Sequence, residues 1–109
     1  MANYTLSGKV SIGSNVQAAD IKGKYSTLFI YAPGFCGTHR LYKKQVLGKV
    51  GTLNYSIKLP SNTYWVEACV TDAKGNKLAE GCYCSDLYNF KLLKNTKYNL
   101  VISDHCASI

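Results

Sequence analysis

The chain reads as one antiparallel β-sandwich of about seven short strands, with a small β-barrel as the alternative. Three observations predict this. Apolar residues recur at every second position along most of the chain, the signature of half-buried strands. No segment sustains the 3.6-residue period of a helix, which excludes a parallel α/β arrangement. Clusters of Gly, Pro, Asn and Asp punctuate the sequence at short intervals. A length of 109 residues allows a single domain, residues 1–109, and 47% hydrophobic against 17% charged residues excludes disorder.

In residues 4–12, Tyr4, Leu6, Val10 and Ile12 alternate with Thr5, Ser7, Lys9 and Ser11, giving a strand with one wet face. Gly13-Ser14-Asn15 ends it, and residues 16–24 form a connection. Residues 25–32 are apolar on both faces, so this strand is expected to be central. Pro33-Gly34 stops it, and residues 34–39 make a loop. Residues 41–47 give a third strand, whose lysines mark an edge.

Residues 52–59 alternate again, with Leu53, Tyr55, Ile57 and Leu59 inward. After the Pro60-Ser61-Asn62 turn, residues 64–71 put Tyr64, Val66, Ala68 and Val70 on one face and Trp65, Glu67 and Cys69 on the other. Residues 72–76 (Asp-Ala-Lys-Gly-Asn) signal a hairpin, because Gly75 accepts the positive φ of a tight turn. Residues 77–84 return, residues 85–89 link to a strand over 90–93, and a last strand occupies 98–103. At most one helical turn is expected, near residues 86–88.

The stretch Leu59-Pro60-Ser61-Asn62-Thr63-Tyr64, followed by Val66, Ala68 and the 72–76 hairpin, resembles the leucine–turn–tyrosine–strand pattern of transthyretin-like and carboxypeptidase-regulatory-like sandwiches. Leu93-Lys94-Asn95-Thr96-Lys97-Tyr98 echoes it. The resemblance covers about a third of the chain and carries no catalytic residue. It implies an immunoglobulin- or transthyretin-like sandwich and binding or structural work.

Five cysteines, Cys36, Cys69, Cys82, Cys84 and Cys106, point to a disulfide-braced protein of the secreted or cell-envelope class. Intracellular proteins of hyperthermophiles also carry disulfides. Residues 1–6 do not look like a signal peptide, so Met1 is either the native start of a cytosolic protein or a start placed on a mature secreted chain, and the cysteines favour the second reading. No apolar run is long enough to cross a bilayer as a helix. Cys82 and Cys84, two apart in a strand, should stand about 6.5 Å apart and project in parallel, a poor geometry for bonding each other. Two bridges and one free thiol are therefore expected, each of the pair bonding elsewhere.

Cys82, Cys84, His105 and Cys106 also form a possible zinc set, but the spacing is not that of a zinc knuckle. Cys36 with His39, or Cys106 with His105, are minimal nucleophile–base pairs without a third group to orient them. No phosphate loop, zinc-protease or nucleophile-elbow motif is present. The expectation is a protein that is not an enzyme and needs no cofactor or metal. Glu67 and Glu80 are read as partners of lysines across strands. Asn3-Tyr4-Thr5 and Asn54-Tyr55-Ser56 are glycosylation acceptor triplets on wet faces.

The net charge is +7, and twelve of the thirteen basic residues are Lys. Lys without Arg argues against base-specific nucleic-acid contacts. The first functional expectation is a binding module without catalytic activity, taking a protein or carbohydrate ligand. Its expected site is Tyr31, Phe35, His39, Arg40 and Tyr42, which combine aromatic and basic groups around a glycine-containing loop. The alternative is a basic nucleic-acid-binding protein using Tyr42-Lys43-Lys44 and residues 91–98. A cationic defence or toxin-like protein is a third option. Trp65 is expected to cover the second sheet or a disulfide, with a stacking surface as the other reading.

Overall fold

The computed structural model describes residues 2–78 and 82–105. The protein is all-β, and the described residues form nine strands curled into a half-barrel. The strands are β1 (Asn3–Ile12), β2 (Tyr25–Pro33), β3 (His39–Lys49), β4 (Leu53–Pro60), β5 (Asn62–Thr71), β6 (Tyr83–Cys84), β7 (Leu87–Leu92), β8 (Thr96–Lys97) and β9 (Leu100–Asp104). They run in the order β3-β2-β5-β6-β9-β1-β4, with β7 on β5 and β8 on β1. The pairing is mixed rather than wholly antiparallel, because β8 and β9 both run parallel to β1.

The period-two residues fill the concave side. Leu6 and Val10 of β1, Leu28 and Ile30 of β2, Leu59 of β4, Val66 of β5, and Leu100 and Ile102 of β9 are fully shielded from solvent. Burying a side chain of this size stabilises the fold by roughly 1.5–3 kcal/mol. β2 lies between β3 and β5 and is buried on both faces. Its wet neighbour β3 forms the sheet edge and carries Lys43, Lys44 and Lys49.

Helical structure does not fall at residues 86–88, where β7 begins. One turn, α1 (Ala18–Ile21), lies in the 16–24 connection and puts Ile21 into the core. A single 3-10 turn follows at Phe35–Gly37. The 72–76 hairpin forms as expected, with Gly75 at φ 86° and Asp72 Oδ1 accepting from the Lys74 and Asn76 amides at 2.9 Å. The return is not one continuous strand. Thr71 faces Lys77, yet Cys69 faces Cys84 rather than residue 79.

The parallel layer is held by two asparagines one short repeat apart. Asn95 Oδ1 accepts from the Thr5 amide and Asn99 Oδ1 from the Lys9 amide, each at 2.9 Å. Between them the Tyr98 backbone crosses Gly8 so closely that a Cβ there would lie 2.0 Å from the Tyr98 oxygen. Only glycine permits that approach.

Candidate functional site

On the convex side of the β2–β5 layer, strand register sets Tyr31 beside Trp65, Phe29 beside Glu67, and Thr27 beside Cys69. Two of these rows are closed by other segments. The Cys69–Cys84 disulfide joins directly opposed residues of β5 and β6, with Cα atoms 4.1 Å apart. Phe29 packs on that bridge, forming a small second core. Thr27 and Thr71 share a buried hydroxyl contact at 2.7 Å.

The third row stays open as a cleft of about 450 Å³ around Trp65. Tyr88 from β7 lies 4.8 Å from the indole at 48°, and Tyr31 lies 5.2 Å away at 38°. His39 meets the indole edge-on at 5.4 Å. The rings are tilted rather than closed on one another, so parts of their faces remain available.

The polar wall of the cleft is an ion pair. Glu67 is 5% exposed, and a carboxylate so buried needs a cation beside it. Lys77, just after the hairpin, donates to Glu67 and, at 3.0 Å, to the Tyr31 hydroxyl. Tyr31 in turn donates to Glu67 at 3.1 Å. The Lys77 ammonium also sits 4.8 Å from the Phe29 ring centroid, within cation–π range. Burial alone would lower the Lys77 pKa, but Glu67 and Tyr31 outweigh it and hold the ammonium above its ordinary 10.5. Burial raises the Tyr31 pKa, against the opposing Lys77. Opposite, His105 Nε2 lies 3.8 Å from Asp86 and 3.1 Å from the Cys84 carbonyl oxygen. Burial and a hydrogen bond to Asp86 raise the Tyr88 pKa.

The five residues expected to bind do not form one site. Tyr31 and His39 enter the Trp65 cleft. Phe35, 87% exposed, and Arg40 lie together around Pro33-Gly34. Tyr42 packs 6.2 Å from the Tyr64 ring. The split follows from strand alternation: His39 lines the cleft with Tyr31, whereas Arg40, next to it on β3, takes the other face and lines a hollow with Tyr42. Trp65, Lys77, Asp86, Tyr88 and His105 were missing from that expected site. The signal available for Trp65 and Glu67 was their shared strand face. Tyr88 and Asp86 lay in a presumed link, and Lys77, the partner of Glu67, stands opposite Thr71, four residues along the strand from Glu67.

Cys82 is disulfide-bonded, and Cys36 is a free, exposed thiol at φ 56°. Cys106 and Glu80 lie outside the described residues. Bonded sulfurs offer no thiolate, so neither the Cys82, Cys84 and His105 set nor the close Glu67, Cys69 and Cys84 group can ligate zinc in this form. Asn3 and Asn54 are exposed, on strands β1 and β4. Among the described residues no helix is long and apolar enough to cross a membrane. No protein family matches the chain, and no curated protein and no solved structure matches it either.

Proposed function

We propose that the protein is a small binding module of the secreted or cell-envelope class, without chemistry of its own, and that a carbohydrate is its ligand. The observation that carries this reading is the tilted ring cluster of Tyr31, Trp65 and Tyr88 around an open cleft with an acidic and basic wall. Sugars offer apolar C–H faces to such rings and hydroxyls to groups such as Glu67, Asp86 and His39. Rings with few rotatable bonds bind at small entropic cost. The bonded state of Cys69, Cys82 and Cys84 supports an oxidising compartment. The absence of catalysis rests on two features. Glu67 is neutralised by Lys77, and the free thiol Cys36 does not line the cleft. The transthyretin- or immunoglobulin-like sandwich belongs to the same proposal, supported by residues of β1, β4 and β9 packing with residues of β2 and β5 in one core.

Calorimetric titration against a panel of neutral and acidic oligosaccharides tests it. Trp65→Ala and Tyr88→Ala are each expected to weaken binding at least about fivefold, taking the roughly 1–3 kcal/mol of stacking a planar base on one ring as the guide. Phe35→Ala with Arg40→Ala is expected to leave affinity unchanged. The reverse pattern would move the site to the 34–40 loop.

A further inference from the structure

We infer that the outer face of the β4–β1–β8 layer, on the far side of the core from the Trp65 cleft, binds a linear polyanionic polysaccharide bearing sulfate or carboxylate groups. This does not depend on the cleft being a ligand site. The β1 residues that point away from the core are Thr5, Ser7 and Lys9, and the register sets Lys58, Ser56 and Asn54 of β4 beside them. Lys97 of β8 stands beside Ser7 on the opposite flank. At about 3.4 Å per residue and 4.8 Å between strands, Lys9 and Lys97 are about 8 Å apart at Cα, and Lys97 and Lys58 about 12 Å. The first pair lies within one Debye length at physiological salt, so its fields add.

Two adjoining hollows run along this face. One, of about 420 Å³, is lined by Lys9, Asn54, Lys97 and Asn99, and the other, of about 240 Å³, by Thr5, Asn95 and Lys97. Both also share Ser7. The asparagine orientation is set by the fold. Oδ1 of Asn95 and of Asn99 accepts a β1 amide, which only the oxygen can do, and this leaves each side-chain NH₂ as a donor to a ligand. The face therefore offers ammonium, amide and hydroxyl donors together.

Asp20 pairs with Tyr83, Asp72 caps the hairpin, and Glu67 and Asp86 line the Trp65 cleft. Lys9, Lys58 and Lys97 make no ion pair with any described residue. A polysaccharide is favoured over a nucleic acid because the face holds no arginine, and Tyr98 beside it, 41% exposed, is a lone ring rather than the row on which successive bases stack. Tyr55, the aromatic residue lining the larger hollow, is 3% exposed and spends its hydroxyl on the Tyr98 oxygen.

Binding to heparin and to polygalacturonate at low salt tests this, with an oligo-dT strand as competitor. The triple variant Lys9→Gln/Lys58→Gln/Lys97→Gln should lose at least about tenfold in affinity for whichever polyanion binds, with an unchanged thermal midpoint. The charge-matched control Lys43→Gln/Lys44→Gln/Lys49→Gln on β3 should stay within about twofold. Heparin binding alone would identify sulfate as the recognised group, and polygalacturonate binding alone carboxylate, both within the proposal. Equal losses in the two triples would reduce the effect to net charge and overturn it. So would failure to bind either polysaccharide at low salt, or stronger binding of oligo-dT through the same three lysines.

Discussion

Replacing Gly8 by alanine tests how the parallel half of the sheet is assembled. The added Cβ would stand 2.0 Å from the Tyr98 oxygen and 2.7 Å from its carbonyl carbon, so one backbone must retreat by about an ångström. Three hydrogen bonds converge on that crossing: the Tyr98 amide to the Ser7 oxygen at 2.7 Å, the Tyr55 hydroxyl to the Tyr98 oxygen at 2.5 Å, and the Lys9 amide to Asn99 at 2.9 Å. At about 1 kcal/mol each, their loss amounts to about 3 kcal/mol, a large share of the roughly 5–15 kcal/mol that holds a domain together. Urea unfolding followed by far-UV circular dichroism should show that loss, and the thermal midpoint should fall by at least about 10 °C. Gly23→Ala is the control. Gly23 has φ 75° with nothing within 4 Å, so strain alone should cost about 1 kcal/mol. Equal effects at the two positions would refute the argument that close approach, rather than backbone conformation, makes Gly8 necessary.

Removing the Cys69–Cys84 bridge by Cys69→Ala/Cys84→Ala should lower stability by about 3 kcal/mol, the closure entropy of a loop of this length, read by the same denaturation. Peptide mapping of the unreduced protein should recover the Cys69–Cys84 bridge, Cys82 in a second bridge and Cys36 as free thiol. Alkaline titration should leave stability flat below pH 10 and reduce it above. Burial raises the Tyr55 and Tyr64 pKa values above 10.0, so their stabilising neutral forms are fully present below that value and lost as pH climbs through the folded pKa. Tyr55→Phe should cost about 1 kcal/mol at neutral pH and flatten the alkaline decline. Lys77→Met strands the buried Glu67 carboxylate, so adding Glu67→Gln to it should restore part of the lost thermal stability.

Strand faces were readable because burial has a period of two. Tyr55, Ile57 and Leu59 point inward, and Tyr64, Val66, Ala68 and Val70 do the same, as their alternation implies. The lysine-marked edge and the Asp72–Asn76 turn follow from equally local chemistry. Alternation says which face a residue takes but not which strand lies beside it. The parallel pairing of Leu100–Asp104 with β1 was therefore not legible, although Asn95 and Asn99 supply its key hydrogen bonds. The cleft was half legible for the same reason. Tyr31 and His39 were identified for their chemistry, while Tyr88 and His105 reach Trp65 through long-range pairing that no local pattern encodes.

Trp65 is the sole tryptophan of the chain, so its emission reports the cleft without interference. Titrating the protein with the oligosaccharide panel while recording Trp65 fluorescence tests the binding-module reading directly. A saturable shift or quench, lost in Tyr88→Ala and unaffected by the Lys9/Lys58/Lys97 triple variant, is the predicted result. Saturable binding that leaves Trp65 emission unchanged and persists in the Lys9/Lys58/Lys97 triple variant would contradict it.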